Sequence, residues 1–286
     1  MNSSWIDLHC HSHFSDGFLS PTELLKRAAS NGVEVLALTD HDSISGLEEA
    51  RQASFDTGIS LINGCEFSCR WNGLGVHILG LNFDLANENL NRFLVQQNLL
   101  RWDRARLINE KLHRKGLTGV LENVDLNSRQ VPPSRPDLAA AMVRLGYVKD
   151  TAEAFKKYLG TGKVAEVPQV WPLIDTVVQV INEAGGGAVI AHPTRYKLSG
   201  TKLRSFMMEF KGLGGEAIEV VYSGQKQGEI GMLTDYAARA GLLASVGSDF
   251  HTPAYPWADL GRITSLPERA SPIWLQWGYP NSRQIN

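Results

Sequence analysis

Short apolar runs rich in Val, Ile and Leu alternate along the chain with segments of helical periodicity. That is the pattern of strands each followed by a helix around a parallel sheet. A first strand is expected over residues 5–8. Ser20, Pro21 and Glu23 then supply an N-cap, a first-turn proline and a capping-box acid for a helix that Gly32 stops. A second strand covers 35–38. Ser45 and Glu48 repeat the capping box for a helix ending near Gly58, and strands over 59–62 and 76–81 follow.

The rhythm breaks with a long helical pattern over 89–115, a proline-rich loop over 131–136, and further helices near Leu145 and Leu159. Alternation resumes with helices over 172–184, 203–211 and 229–240 and strands over 188–191, 217–221 and 243–246. About seven strands result, interrupted by a helical insertion.

The chain has 286 residues, 43% of them hydrophobic and 20% charged, the composition of a folded globular enzyme. The N-terminus lacks the basic segment and apolar run of a signal peptide, and no apolar stretch approaches the roughly 20 residues that span a bilayer. A cytoplasmic protein without membrane contact is expected. Cys10, Cys65 and Cys69 are odd in number, so reduced thiols packed as small hydrophobes are expected rather than a disulfide framework.

The net charge of -2 excludes a uniformly basic nucleic-acid binder. Residues 88–168, however, carry 14 Lys and Arg against 9 Asp and Glu, a net of +5, leaving 14 against 21, or -7, elsewhere. That asymmetry suits an anionic partner, with a solvated helical surface as the alternative.

The chemistry lies where the strands end. His9 and His11 end the first strand, Asp40, His41 and Asp42 the second, and Glu66 follows the third; His77 lies in the fourth. His192 caps the strand over 188–191, and Asp249 and His251 follow the last. In a barrel of parallel strands all C-terminal ends open on one face, so these groups converge. His, Asp and Glu together suit Zn, Mn or Fe, and residues two apart on a strand face the same side, so His9 and His11 can share an ion, as can Asp249 and His251. His13 and His113 fall outside the set. Gly160, Thr161, Gly162 and Lys163 lack the full phosphate-loop spacing and do not link a strand to a helix.

Asp7-Leu8-His9-Cys10-His11-Ser12, Ser15-Asp16-Gly17, Thr39-Asp40-His41-Asp42, Gly64-Cys65-Glu66, His77, Ala191-His192-Pro193 and Gly247-Ser248-Asp249-Phe250-His251 resemble the PHP (polymerase and histidinol phosphatase) family, in matching order over essentially the whole chain. The resemblance implies an α/β fold, a distorted (β/α)7 TIM-like barrel over 1–87 and 169–286, with 88–168 as a helical insertion covering the active site. It implies two or three divalent ions, Mn first and Zn or Fe as alternatives. One ion would be held by His9, His11, Glu66 and Asp249, a second by Glu66, His77 and His192, and a third by Asp16, His41 and His251.

Ser134-Arg135-Pro136, residues 155–160, Val167-Pro168, His192 to Tyr196 and Asp259 to Arg262 are similar to the branch containing RNase AM and the 3′,5′-nucleotide bisphosphate phosphatases. That likeness implies a nucleotide or RNA substrate, losing a 3′-phosphate or digested from a 5′-monophosphate end, and no obligate protein partner. Two positions depart from the pattern: Asp137 stands where many relatives have histidine, and Glu166 where an aromatic residue often precedes Val-Pro. Both bear on substrate preference.

Arg135 and Arg195 are the expected catalytic phosphate clamps, since guanidinium matches phosphate in planar bidentate geometry. Ser134 and Arg101 join them as substrate contacts; on the long helix Arg101 and Arg104 are candidates to meet a second phosphate or an RNA backbone, with a solvated helix face as the alternative. Asp7 and Asp40 are candidates to orient imidazoles or to cap loops. Trp102 and Trp257 are candidates to stack on a base or to fill the core. Competing readings are a histidinol phosphate or other small-molecule phosphatase, an amidohydrolase-type deaminase, and a noncatalytic module, which would lack ligands.

Overall fold

The computed structural model describes residues 5–125, 131–168, 170–226 and 228–280. Seven strands form one sheet in chain order: β1 (Ile6–Asp7), β2 (Val35–Leu38), β3 (Ser60–Trp71), β4 (Leu74–Leu81), β5 (Gly187–Ile190), β6 (Ala217–Tyr222) and β7 (Leu243–Gly247). The sheet curls until its edges meet, where Leu8 N–H donates to the Val246 carbonyl at 3.0 Å and Cys10 bridges Phe250 in parallel. The expected seven-stranded barrel is therefore nearly closed. Every residue of β2, β5 and β6 is buried, as befits strands covered on both faces.

Helices α1 (Pro21–Ser30), α2 (Leu47–Thr57), α6 (Ile174–Glu183), α7 (Gly200–Gly212) and α8 (Glu229–Ala240) follow strands or lead into them. The Ser20–Glu23 capping box forms, whereas α2 starts from Gly46, one residue past the expected Ser45 cap. Cys10, Cys65 and Cys69 are free and buried, as expected. Among the described residues no helix is long and apolar enough to cross a membrane.

One strand breaks the all-parallel expectation. β4 runs antiparallel to both β3 and β5. The cause is local: Asn72 and Gly73, at φ 48° and 78°, make the two-residue turn whose left-handed residues match the twist of a tight hairpin. β3 is consequently 12 residues long instead of the short expected strand, and Glu66 lies within it rather than beyond it.

Between β4 and α6 come α3 (Glu88–His113), α4 (Arg135–Arg144) and α5 (Thr151–Ala154), the last continuing into one π turn over Phe155–Leu159. Leu145, expected in a helix, is where α4 stops. Ile108, Leu112, Leu138, Met142, Leu159 and Val167 belong to a core cluster of this segment, separate from the two clusters of the barrel.

Candidate metal centre

His9 and His11 continue from β1 in extended alternation and are fully buried at the barrel mouth. His41 and Glu66 bridge in parallel where β2 meets β3. The hairpin brings in His77: Ser68 pairs with His77 and Glu66 with Leu79, so Glu66 and His77 are diagonal neighbours on one face. Asp16 arrives on a loop that doubles back so closely that a Cβ on Gly17 would lie 2.2 Å from the His11 carbonyl oxygen. His192 and Asp249, just after β5 and β7, hold left-handed φ values of 29° and 52°. Such strain gathers at functional sites.

Glu66 stands at the centre. Its Oε1 lies 2.9 Å from both His77 Nδ1 and His192 Nε2, while Oε2 lies 3.3, 3.2 and 3.0 Å from His9 Nε2, His11 Nε2 and His41 Nδ1. Asp249 Oδ1 approaches His9 Nε2 at 3.3 Å and His11 Nε2 at 3.2 Å, and Asp16 Oδ1 approaches His251 Nε2 at 3.2 Å. Three sets have donor atoms within 4.8 Å of one another: His9, His11, Glu66 and Asp249; His11, Asp16, His41 and His251; and His41, Glu66 and His77. All nine expected ligands thus come together. Relative to the expected partition, His11 joins the Asp16 set and His41 stands beside His77, with His192 reaching the same Glu66 oxygen.

These donors fit cations better than they fit one another. Asp16 Oδ1, His41 Nδ1 and Glu66 Oε2 are buried without a well-formed hydrogen bond among the described residues, despite their close approaches. Two of the imidazoles are anchored through their far nitrogens: His9 Nδ1 lies 2.9 Å from Glu219 Oε1 and His251 Nδ1 2.9 Å from the Asp249 carbonyl. Both acceptors require N–H at Nδ1, which leaves the Nε2 lone pair aimed into the cluster.

The charges are strongly coupled. Burial opposes ionisation of Glu66 and Asp249, yet the facing histidines hold both carboxyls well below their usual range. Burial likewise opposes charge on His251, but Asp16 and Asp249 push it up to about 10. His41 goes the other way, burial pulling it down to about 4.

A cavity of about 250 Å³ opens over the cluster, lined by Asp16, His41 and His77 on one side and by Arg101, Arg104, Ser134 and Arg135 from the helical segment on the other. Arg101 is committed to Asp42 Oδ2 at 2.6 Å and Ser68 Oγ at 2.9 Å. Arg104 Nε is buried with no acceptor among the described residues, and burial with the neighbouring Arg135 and Arg101 pulls its pKa down to about 10. Burial also lowers Arg135, against the pull of Glu166. Both guanidiniums face the cavity as excess positive charge.

The sequence profile of the PHP domain matches residues 7–125. A 5′-3′ exoribonuclease of Haemophilus influenzae is 43% identical over 94% of this chain and 97% of its own length. The chain belongs to the PHP family. A 3′,5′-nucleoside bisphosphate phosphatase of Chromobacterium violaceum is 39% identical over 95% of each chain. Among solved structures, one described as an amidohydrolase from Chromobacterium violaceum, with bound sulfate and no metal, aligns at a TM-score of 0.89 with 39% identity over 96% of each chain. One described as a metal-dependent phosphoesterase from Bifidobacterium adolescentis aligns at 0.79 with 28% identity over 96% of this chain and 94% of that one.

The other candidates of this PHP chain meet expectation in part. Asp7 accepts from the main-chain N–H groups of Ser248 and Gly261, at 2.8 and 2.9 Å, and Asp40 from Ser12 and Ser15, so both brace loops. The carboxylate that meets an imidazole from behind is Glu219, missed because one acid in the apolar run of β6 reads only as an interruption. Arg195 pairs with Asp249 Oδ2 and with the Ser223 carbonyl at 3.1 Å, beside the cluster rather than on the cavity wall. Asp137 completes the α4 capping box, accepting from Ser134 Oγ at 2.6 Å. Glu166 accepts from Gly162 N–H at 2.7 Å. Trp257 is 66% exposed, its ring centroid 5.0 Å from that of Tyr255, and Trp102 is half-buried on α3. His13 packs edge-on against Phe14, and His113 is exposed at the end of α3.

Proposed function

We propose that this chain is a metal-dependent phosphoesterase acting on nucleotides, removing the 3′-phosphate of nucleoside 3′,5′-bisphosphates and digesting RNA from a 5′-monophosphate end. The observation that carries the reading is the juxtaposition of an eight-residue His and carboxylate cluster, joined by His192 through Glu66, with a cavity walled by Arg101, Arg104 and Arg135. The names of the exoribonuclease and bisphosphate phosphatase relatives support the nucleotide assignment.

In this reading His9, His11, Asp16, His41, Glu66, His77, His192, Asp249 and His251 hold two or three divalent ions, Mn first, with Zn or Fe compatible with the same donors. Such ions supply positive charge against phosphate oxygens and a water nucleophile near neutral pH. Arg135, set at the first turn of α4 beside Ser134, clamps one phosphate, and Arg104 offers unpaired donors to a second. Arg101, tied to Asp42, shapes the wall and lends it charge. Arg195, its side chain 45% exposed, holds Asp249 beside the cluster as an outer clamp. Three guanidiniums favour a polyanionic substrate over the neutral amide that an amidohydrolase would take.

Residues 88–168 act as a helical insertion on the barrel formed by 1–87 and 169–286, a division supported by the separate core of that segment. Its net charge of +5 suits the same anionic substrate. The three free buried thiols suit a cytoplasmic setting.

The test is phosphate release from adenosine 3′,5′-bisphosphate with added Mn, with a 5′-monophosphorylated RNA oligomer in parallel and His9→Ala as the control. Activity lost in the variant is expected, and the ratio of rates ranks the substrates. Activity on histidinol phosphate or an amide, with neither nucleotide cleaved, overturns the reading.

A further inference from the structure

Glu219 lies behind the cluster on β6, fully buried. Its Oε1 meets His9 Nδ1 at 2.9 Å, and its Oε2 accepts from the His192 main-chain N–H at 2.6 Å. One carboxylate therefore holds two of the proposed ligands, one supplied by the chain after β1 and the other by the chain after β5. We infer that Glu219 is a positioning residue that locks His9 in the tautomer presenting Nε2 to the ions and pins the strained His192 turn against the same centre. This inference rests on the metal centre proposed above and is independent of which phosphate ester is cleaved.

The chemistry of the acceptor decides the tautomer. Oε2 already accepts from the His192 N–H, and with Oε1 as acceptor towards His9 it is Nδ1 that donates, so Nε2, 3.1 Å from His11 Nε2, is left to bind metal. A carboxylate in that position also raises the basicity of the imidazole and fixes the plane of its ring. At His192, φ of 29° is unfavourable for a side-chain-bearing residue, and the 2.6 Å bond to Oε2 is one of the contacts that retains it. The surroundings leave space for this contact: a Cβ on Gly247 would lie 2.8 Å from Glu219 Oε1 and 2.2 Å from His9 Cβ.

Were Glu219 only a space-filling polar residue, glutamine would replace it without loss. The geometry forbids that. Both neighbours donate, and glutamine has one acceptor oxygen and one NH2. If its oxygen keeps the His192 N–H, its NH2 faces His9 Nδ1 and drives the proton to Nε2, removing the metal lone pair. If it is turned over, two N–H groups collide at His192.

The experiment uses the full chain with Zn(II) alone. Proton–nitrogen correlation spectra of histidine-labelled, Zn-loaded native protein should show His9 with Nδ1 protonated and Nε2 coordinated, the signal being identified by its loss in His9→Asn. In Glu219→Gln, competition against a chromophoric chelator should show one Zn site weakened about 10- to 100-fold. Native-like Zn affinity and unchanged His9 shifts in the variant would overturn the inference. So would a native His9 bound through Nδ1, a result that needs no variant to fold. Native protein that binds no Zn would overturn the metal centre itself, and this inference with it.

Discussion

Arg101 Nε donates to Asp42 Oδ2 at 2.6 Å, joining the middle of α3 to the residue that follows His41. The other oxygen of Asp42 accepts from Ser68 N–H at 2.8 Å and from Gln97 Nε2 at 2.9 Å, so one carboxylate ties α3, β3 and the mouth of the barrel together. Asp42 holds a left-handed φ of 48°, a conformation that Asp and Asn tolerate better than most residues. The helix carrying Arg104 over the cavity is thus fastened within one residue of a candidate metal ligand.

Asp42→Asn keeps the size and the backbone tolerance but cannot accept on every side, so its NH2 must oppose Arg101 or the Ser68 and Gln97 donors. Breaking a buried pair typically costs 3–5 kcal/mol, and the open cavity beside Arg101 places this one near the low end, about 3 kcal/mol. Urea unfolding of the metal-free protein measures it. A loss under about 0.5 kcal/mol would mean that α3 is held by its apolar contacts alone.

Arg135 and Arg104 should act on binding more than on turnover. Removing a charged hydrogen bond to phosphate is worth about 1.5–3 kcal/mol, roughly 10- to 150-fold in kcat/KM. Arg135→Ala is therefore expected to raise KM for adenosine 3′,5′-bisphosphate by that order, with Arg135→Lys only partly restoring it because lysine lacks the planar fork. A fall confined to kcat would instead place Arg135 on the transition state.

Much of this site is legible in the sequence. Six of the nine candidate ligands, His9, His11, His41, His192, Asp249 and His251, follow strand ends within a few residues, where fold and chemistry coincide, and His-x-His and Asp-x-His spacing betrays a shared face. The direction of β4 was also legible, since Asn72-Gly73 is a strong hairpin signal, but an alternating strand and helix rhythm masked it. Glu219 was not legible. Its role depends on two partners, His9 and His192, that only barrel closure brings to it. The commitment of Arg101 to Asp42 was hidden for the same reason: helical periodicity places Arg101 and Arg104 on one face, but tertiary contact leaves only Arg104 unpaired.

Protons and metal ions compete for the cluster. With His251 raised to about 10 and His9 and His11 shifted in the same direction, the metal-free site carries protons at pH 7 that a cation must displace. Titration calorimetry of Mn or Zn at pH 7, in two buffers of different ionisation enthalpy, should show at least one proton released per protein, with affinity falling as pH falls. Stability of the metal-free chain follows the same groups. The contribution of His251 is fully present below its unfolded value of about 6.5 and is lost as pH rises through about 10. The contributions of Glu66 and Asp249, whose folded values are depressed, are present above their unfolded values near 4 and are lost on acidification. His41, lowered to about 4, adds stability as pH rises towards its unfolded value of about 6.5, so thermal melts in chelator should be highest near pH 6.5. A melting temperature that climbs from pH 7 to 10 would contradict the protonated His251.

Two glycine substitutions separate the cost of strain from the cost of displacing a ligand. A Cβ on Gly247 would lie 2.2 Å from His9 Cβ and 2.9 Å from His9 N, atoms of the backbone and side-chain root that cannot swing aside. Gly247→Ala should therefore push the His9 strand outward, costing about 3 kcal/mol as overpacking of a tight core and weakening metal binding with it. Gly73 has nothing within 4 Å of its added Cβ, and its φ of 78° alone penalises alanine, by about 1–2 kcal/mol. Gly73→Ala should thus lower the urea midpoint while leaving metal affinity intact, because the hairpin tip lies away from His77. If Gly247→Ala loses stability but binds Zn as tightly as the native chain, His9 is either free to follow the displaced strand or is not a ligand, and the Zn-loaded His9 spectrum tells these apart.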